Sequence, residues 1–270
     1  MSTAQPDPLD RRSLFGLPLT LAALLALPRS TVAQPGDGAD AGLHPEFPAL
    51  DPQHVYDIVL HAHSDLDRVK GLLEKQPDLS KAAIDWGFGD WESAIGAAGH
   101  MGRADITAVL IEHGARPTLF VHAMLGHLGV VRAAVEATPG IQSTFGPHGI
   151  SLLAHARSGG EAAAPVVDYL ESVGGANPQP GRAALEHERP AYQGKFRYGD
   201  GLWFEIGDRR DQLFLRRGND FARNLHHLGD GVFHPGGSLG VRLSFHFDGQ
   251  DTTQRIEIRD GVSTVEAHRI

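Results

Sequence analysis

Ser93-Ala94-Ile95-Gly96-Ala97-Ala98-Gly99-His100-Met101-Gly102-Arg103-Ala104-Asp105-Ile106-Thr107-Ala108-Val109-Leu110-Ile111-Glu112-His113-Gly114-Ala115 reads as two short helices joined by a glycine turn. Ser93 offers a side-chain oxygen to the open N–H groups of the first helix. The small residues after it allow close packing on neighbours. Gly102 makes the turn into the second helix, where Ile106, Val109 and Leu110 fall on one face at helical spacing. Segments this short, broken by glycine, are read first for repetition.

Working outward, Gly126-His127-Leu128-Gly129-Val130-Val131 repeats the turn and the second helix. Upstream, His61-Ala62-His63 leads to Val69, Leu72 and Leu73 in the same order. Downstream, Gly149-Ile150-Ser151-Leu152-Leu153-Ala154-His155-Ala156 opens a unit that runs through Val166 and Leu170 and closes at Gly174-Gly175-Ala176-Asn177. The stretch from Ser93 to Ala115 resembles an ankyrin repeat without a gap, from the helix-start slot to the closing Gly114-Ala115. The run from Gly126 to Val131 matches that family's inter-helix signature. Equivalent positions at Leu72, Leu110, Ala134 and Leu170 lie 38, 24 and 36 residues apart, against a usual period of about 33. The short offset reads as a trimmed finger, and the last as including an insertion at 159–164. No unit keeps the family's Thr-Pro-Leu-His start. The resemblance implies a solenoid of about four units over 51–178 that binds protein through its concave face and fingers. An unrelated bundle of helical hairpins is the alternative.

Beyond a linker at 179–188 the period becomes two. Tyr192, Phe196 and Tyr198 alternate with polar residues, as do Leu239, Val241, Leu243, Phe245 and Phe247. Further strands are expected at 202–206, 212–216, 232–234, 253–258 and 264–270, separated by Gly-Asp and Asp-Gly turns. Residues 189–270 therefore predict an antiparallel meander, either a small barrel or a strongly curved sheet. The run from Tyr192 through His234-Pro235 to Arg242 resembles the accessory β domain of some penicillin-recognising serine hydrolases, which implies no catalysis here. The fold class expected is α+β, with the β domain capping the last helix around Val166–Val173 or binding a small ligand or glycan through Tyr192, Tyr198 and Trp203.

At the other end, Arg11-Arg12-Ser13-Leu14-Phe15 precedes an apolar run to Leu27 and a small-residue stretch ending at Ala33. This predicts a removable export signal over 1–33, followed by a Gly/Pro/Ala/Asp-rich spacer at 34–50. The paired arginines resemble the twin-arginine motif, with the general export route as the alternative. A periplasmic or secreted protein follows, which meets a membrane only during export.

Composition removes other classes. The 270 residues carry a net charge of -9 and no cysteine. Nucleic acid lacks a cationic surface to bind, and thiolate metal sites, iron–sulfur clusters and disulfides are excluded. No phosphate loop and no nucleophile elbow is present, and Ser151 reads as a helix cap. The sixteen histidines contain no pair at chelating spacing along one helix; His61 and His63 are two apart where four is wanted. His226, His227 and His234 approach one another in a β context with no diagnostic carboxylate. No metal, no cofactor and no enzymatic activity is therefore expected. The feature left is Asp85-Trp86-Gly87-Phe88-Gly89-Asp90-Trp91-Glu92, a finger holding two of three tryptophans. Together with the later finger around Phe145 and His148, it nominates Trp86, Phe88, Asp90, Trp91, Glu92, Phe145 and His148 as contacts for a protein partner of unknown identity. The competing role for Trp86 and Trp91 is to lock the finger onto the next unit.

Overall fold

The computed structural model of the chain describes residues 47–178, 181–218, 220–247, 249 and 252–270. The expected export signal and all but the end of the spacer lie outside them. What is described is an α+β molecule, a helical half followed by an eight-stranded antiparallel barrel.

The helical half is built from pairs: α1 (Pro52–His61) with α2 (Leu66–Lys75), α3 (Ala94–His100) with α4 (Ala104–Glu112), α5 (Leu119–Met124) with α6 (Leu128–Ala137), and α7 (Leu152–Ser158) with α8 (Ala164–Val173). The first helix of three pairs starts at a hydroxyl cap. Ser93 Oγ accepts from Gly96 N at 3.1 Å, Thr118 Oγ1 from Val121 N at 3.4 Å, and Ser151 Oγ from Ala154 N at 3.2 Å. The turn within a pair needs glycine for two reasons. Gly102 and Gly126 have φ of +69° and +75°, and a Cβ on either would stand 2.2 Å from the carbonyl oxygen of Ser158 or Ala162. Each turn is thus pressed against a later part of the helical half. α1 packs on α3, α3 on α5 and α5 on α7, with Ile58, Leu73, Ile95, Ile106 and Leu110 buried in one core and Val131, Leu152, Val166 and Leu170 in another. Val109, expected on the buried face, is only partly covered.

Between α2 and α3 the chain makes a hairpin of β1 (Ala83–Asp85) and β2 (Trp91–Ser93), paired Ala83 to Ser93, Ile84 to Glu92 and Asp85 to Trp91. This is the expected finger.

The barrel contains β3 (Gly194–Gly199), β4 (Leu202–Arg209), β5 (Gln212–Arg216), β6 (Arg223–Gly229), β7 (Val232–Pro235), β8 (Arg242–His246), β9 (Arg255–Asp260) and β10 (Ser263–Arg269). Each pairs antiparallel with the next, and β10 returns to β3, so the sheet closes. Of the two expected forms the barrel is the one observed. Eight strands leave an interior just wide enough for side chains, here Phe196, Phe204, Ile206, Leu213, Leu225, Phe233, Leu243 and Ile256. On the outside, Phe214 lies across Gly207, its cross-strand partner, where a Cβ would meet the ring at 2.4 Å.

Three boundaries differ from expectation. Tyr192 ends a short helix, α9 (Arg189–Tyr192), and the strand begins at Gly194. Leu239 precedes its strand, because Val241 N bonds Ser238 O in a turn. β6 was given no range, only a β context at His226 and His227: its inward positions are Arg223, Leu225 and His227, so polar residues hide the alternation. The expected linker also has structure, since Arg182 bridges to His227 and Ala184 is buried.

The polar contacts joining the halves run through the finger rather than through α8. Arg223 of β6 donates to Gly87 O at 2.7 Å and to Trp86 O, and lies 3.9 Å from Asp90 Oδ2. Among the described residues no hydrogen bond or ion pair links Val166–Val173 to the barrel. Instead, Phe88 reaches the end of the barrel core while Trp86 packs on the helical core.

Candidate metal centre

Strand alternation divides the finger. In β2, Trp91 points outward and is 64% exposed, while Glu92 points inward and is 1% exposed. The loop between the strands is closed by Trp86 N to Asp90 O at 3.0 Å and turns through Gly87, Phe88 and Gly89, all with positive φ. That turn drives Asp90 inward to 2% exposure.

Two buried carboxylates need partners, because an unpaired buried charge costs several kcal/mol. Glu92 meets Trp86 Nε1 at 2.7 Å from its Oε2, His100 Nε2 at 2.9 Å and His148 Nε2 at 3.3 Å from its Oε1, and His63 Nε2 at 3.5 Å from Oε2. Asp90 accepts from the backbone N–H of His148 at 2.8 Å and contacts its Nδ1 at 2.9 Å. His148 has φ +59°, and the two contacts to Asp90 hold this strained conformation. One ligand atom from each of His63, Glu92, His100 and His148 lies within 4.8 Å of all the others.

The outer contacts fix which nitrogens face inward. His63 Nδ1 sits 3.0 Å from the carbonyl oxygens of Val59 and Leu60. A carbonyl only accepts, so Nδ1 carries the proton and the neutral ring turns its Nε2 lone pair toward Glu92. Burial pushes the His63 pKa down despite Glu92, which favours that neutral ring. His148 is poised differently. Burial opposes its charge, but Asp90 and Glu92 outweigh burial and hold it at about 9. For Glu92, burial is outweighed by the hydrogen bonds from His100 and His148, and its pKa falls to about 2. At neutral pH His148 therefore carries the positive charge between the two carboxylates, and a metal ion bound through its Nε2 would take the place of that proton.

Of the seven nominated residues, Asp90, Glu92 and His148 come together at this centre with Trp86 as a hydrogen-bonding wall. Phe88 departs into the barrel mouth. Trp91 and Phe145 line a separate open groove of about 390 Å³ with Phe120, Pro147 and His155. His63 and His100, which the sequence reading left as satisfied or exposed histidines, are the residues it missed. The signal for them was repetition: they stand 37 residues apart, against 38 for Leu72 and Leu110, and α1 packs on α3, so their rings lie 5.0 Å apart. Ser151 acts as a cap, as expected, and His155 hydrogen-bonds its carbonyl through Nδ1 at 2.9 Å. No protein-family model matches the chain, and no curated protein matches it significantly.

Proposed function

We propose that the chain is a non-enzymatic, metal-binding protein in which a divalent first-row transition ion, held by His63, His100, His148 and Glu92, pins the finger that joins an ankyrin-type helical half to the barrel. The observation that carries this reading is the pair of acceptors facing each other, the His63 Nε2 lone pair and the Glu92 carboxylate, 3.5 Å apart. A cation between them turns a repulsion into two bonds. A tetrahedral ion with bonds of about 2.0–2.1 Å sets its ligands about 3.3 Å apart; the Glu92 oxygens lie 2.9, 3.3 and 3.5 Å from the three imidazole nitrogens, and one ligand atom from each of the four residues lies within 4.8 Å of the others. Three imidazoles and one carboxylate suit zinc and its neighbours and not calcium or magnesium, which take oxygen shells. Asp90 on His148 Nδ1 and the carbonyls on His63 Nδ1 are the outer partners that orient metal-bound imidazoles. Four protein ligands fill a tetrahedron, the pattern of a structural site rather than a catalytic one.

The ankyrin-type reading is supported by the four helix pairs, their capped starts and the glycine turns of the last three. The test of the metal reading is zinc content of the full chain after dialysis. One zinc per chain is expected, with none retained by Glu92→Gln and full retention by His122→Ala, which removes the exposed His122–His127 pair. Equal retention by Glu92→Gln would sink the reading.

A second reading keeps the protein partner. The exposed Trp91 and the groove it shares with Phe145 favour a partner that inserts an apolar side chain there. Trp91→Ala is expected to weaken such a complex by about 2 kcal/mol and to leave the melting temperature unchanged, since that ring is exposed.

A further inference from the structure

The mouth of the barrel facing the finger is not filled. A cavity of about 280 Å³ lies there, walled by Trp86 and Phe88 from the finger and by Tyr198, Leu215, Phe221 and Val265 from the barrel half. Three charged side chains also border it, and each is already compensated. Arg217 Nε bonds Asp220 at 2.8 Å, and Arg223 is spent on the Trp86 and Gly87 carbonyls beside Asp90. A charged ligand would find no free counter-charge, whereas a flat apolar body would meet aromatic walls on both sides. The volume is slightly below the range of drug-sized pockets, about 300–1,000 Å³, which fits one or two fused rings. The aromatics proposed for ligand binding on sequence grounds separate here. Tyr198 lines the cavity, Tyr192 is buried against Phe233 and Phe245, and Trp203 lies under Lys195 at 4.9 Å.

Two of the walls also belong to the metal centre. Trp86 donates to Glu92 at 2.7 Å, and the Phe221 ring sits 4.8 Å from that of His148. We infer that the barrel mouth binds a small uncharged aromatic molecule, and that its affinity is coupled to the metal centre through Trp86 and Phe221. The coupling rests on the metal reading above; the cavity does not. An ion that fixes Glu92 fixes Trp86, and whatever orders that wall for the ion orders it for the ligand, so each must raise the other's affinity by the same factor.

The probe is 1-aminonaphthalene, a two-ring fluorophore whose emission changes in apolar surroundings, titrated into the full chain with and without zinc. One site per chain is expected. Val265→Trp, at the exposed edge of the mouth on β10, should fill the cavity, weaken the probe at least tenfold and leave zinc content at one per chain. Phe88→Gly, which removes a wall at a position of positive φ, is the second variant and should weaken it as well. Undiminished probe binding by both folded variants would overturn the cavity site. Zinc should strengthen the probe at least threefold in the native chain and not at all in Glu92→Gln. Equal probe affinity with and without bound zinc would overturn the coupling alone. Absence of zinc binding would overturn the metal reading and the coupling together, and leave the Val265→Trp result to decide the cavity.

Discussion

The helical half gathers three histidines and the barrel stacks a pair, and the two groups have opposite chemistry. His63, His100 and His148 converge on Glu92, with Asp90 behind them. On the paired strands β6 and β7, His226 faces His234 on one side of the sheet and His227 faces Phe233 on the other. His226 stacks on His234 at 5.0 Å, and His227 on Phe233 at 4.4 Å and 12°. In the first group carboxylates hold His148 at about 9; in the second, burial and then the neighbouring His234 push His226 down to about 4. Proximity of imidazoles is thus not what makes a cation site. A buried acceptor aimed between them is.

Single substitutions in the two groups sharpen this contrast, and the largest effect belongs to the ligands. His100→Ala should weaken zinc by more than the roughly 10- to 100-fold that loss of an outer partner brings, while His234→Ala leaves zinc affinity unchanged; calorimetric titration of both variants would show it. Parity between them would erase the distinction. Asp90→Asn comes next. It keeps all four ligands but removes the charge behind His148, and a loss of about 10- to 100-fold is expected in the same titration.

Gly237→Ala tests whether the barrel side supports the site. Its φ of +82° alone costs a side chain about 1–2 kcal/mol, and the new Cβ would stand 2.4 Å from Asp90 Cγ. Urea denaturation should show at least that loss, together with weaker zinc binding. Stability lost with zinc affinity intact would separate the barrel from the centre.

Acid probes the second group alone. The folded pKa of His226 lies at about 4, below its ordinary 6.5. The unfolded chain therefore takes up that proton first, and stability is complete above 6.5 and erodes as pH falls from 6.5 to about 4. Denaturation midpoints of the native chain and of His226→Gln, compared at pH 7 and 4.5, should diverge in that direction. An identical acid shift in both would contradict a buried neutral His226.

How much of this the sequence carries depends on how local each signal is. Two helix starts were legible because Ser93 and Ser151 cap within three residues, and the finger was legible because aromatic and acidic residues crowd it. Seven strands followed from period two; β6 did not, because Arg223 and His227 turn inward beside Leu225. The metal ligands escaped because spacing was tested along one helix. When helix pairs stack, the spacing that brings side chains together is one unit, as for His63 and His100. His148 lies in a loop and has no periodic signature; only Asp90, arriving from 58 residues away, reveals its role.

The most direct test of the central claim is X-ray absorption at the zinc edge on the zinc-loaded full chain. The proposed site gives a four-coordinate shell of nitrogen and oxygen at about 2.0–2.1 Å with the outer scattering of three imidazoles, and this shell disappears in Glu92→Gln. A six-coordinate oxygen shell without imidazole scattering, or the same spectrum from Glu92→Gln, would contradict it.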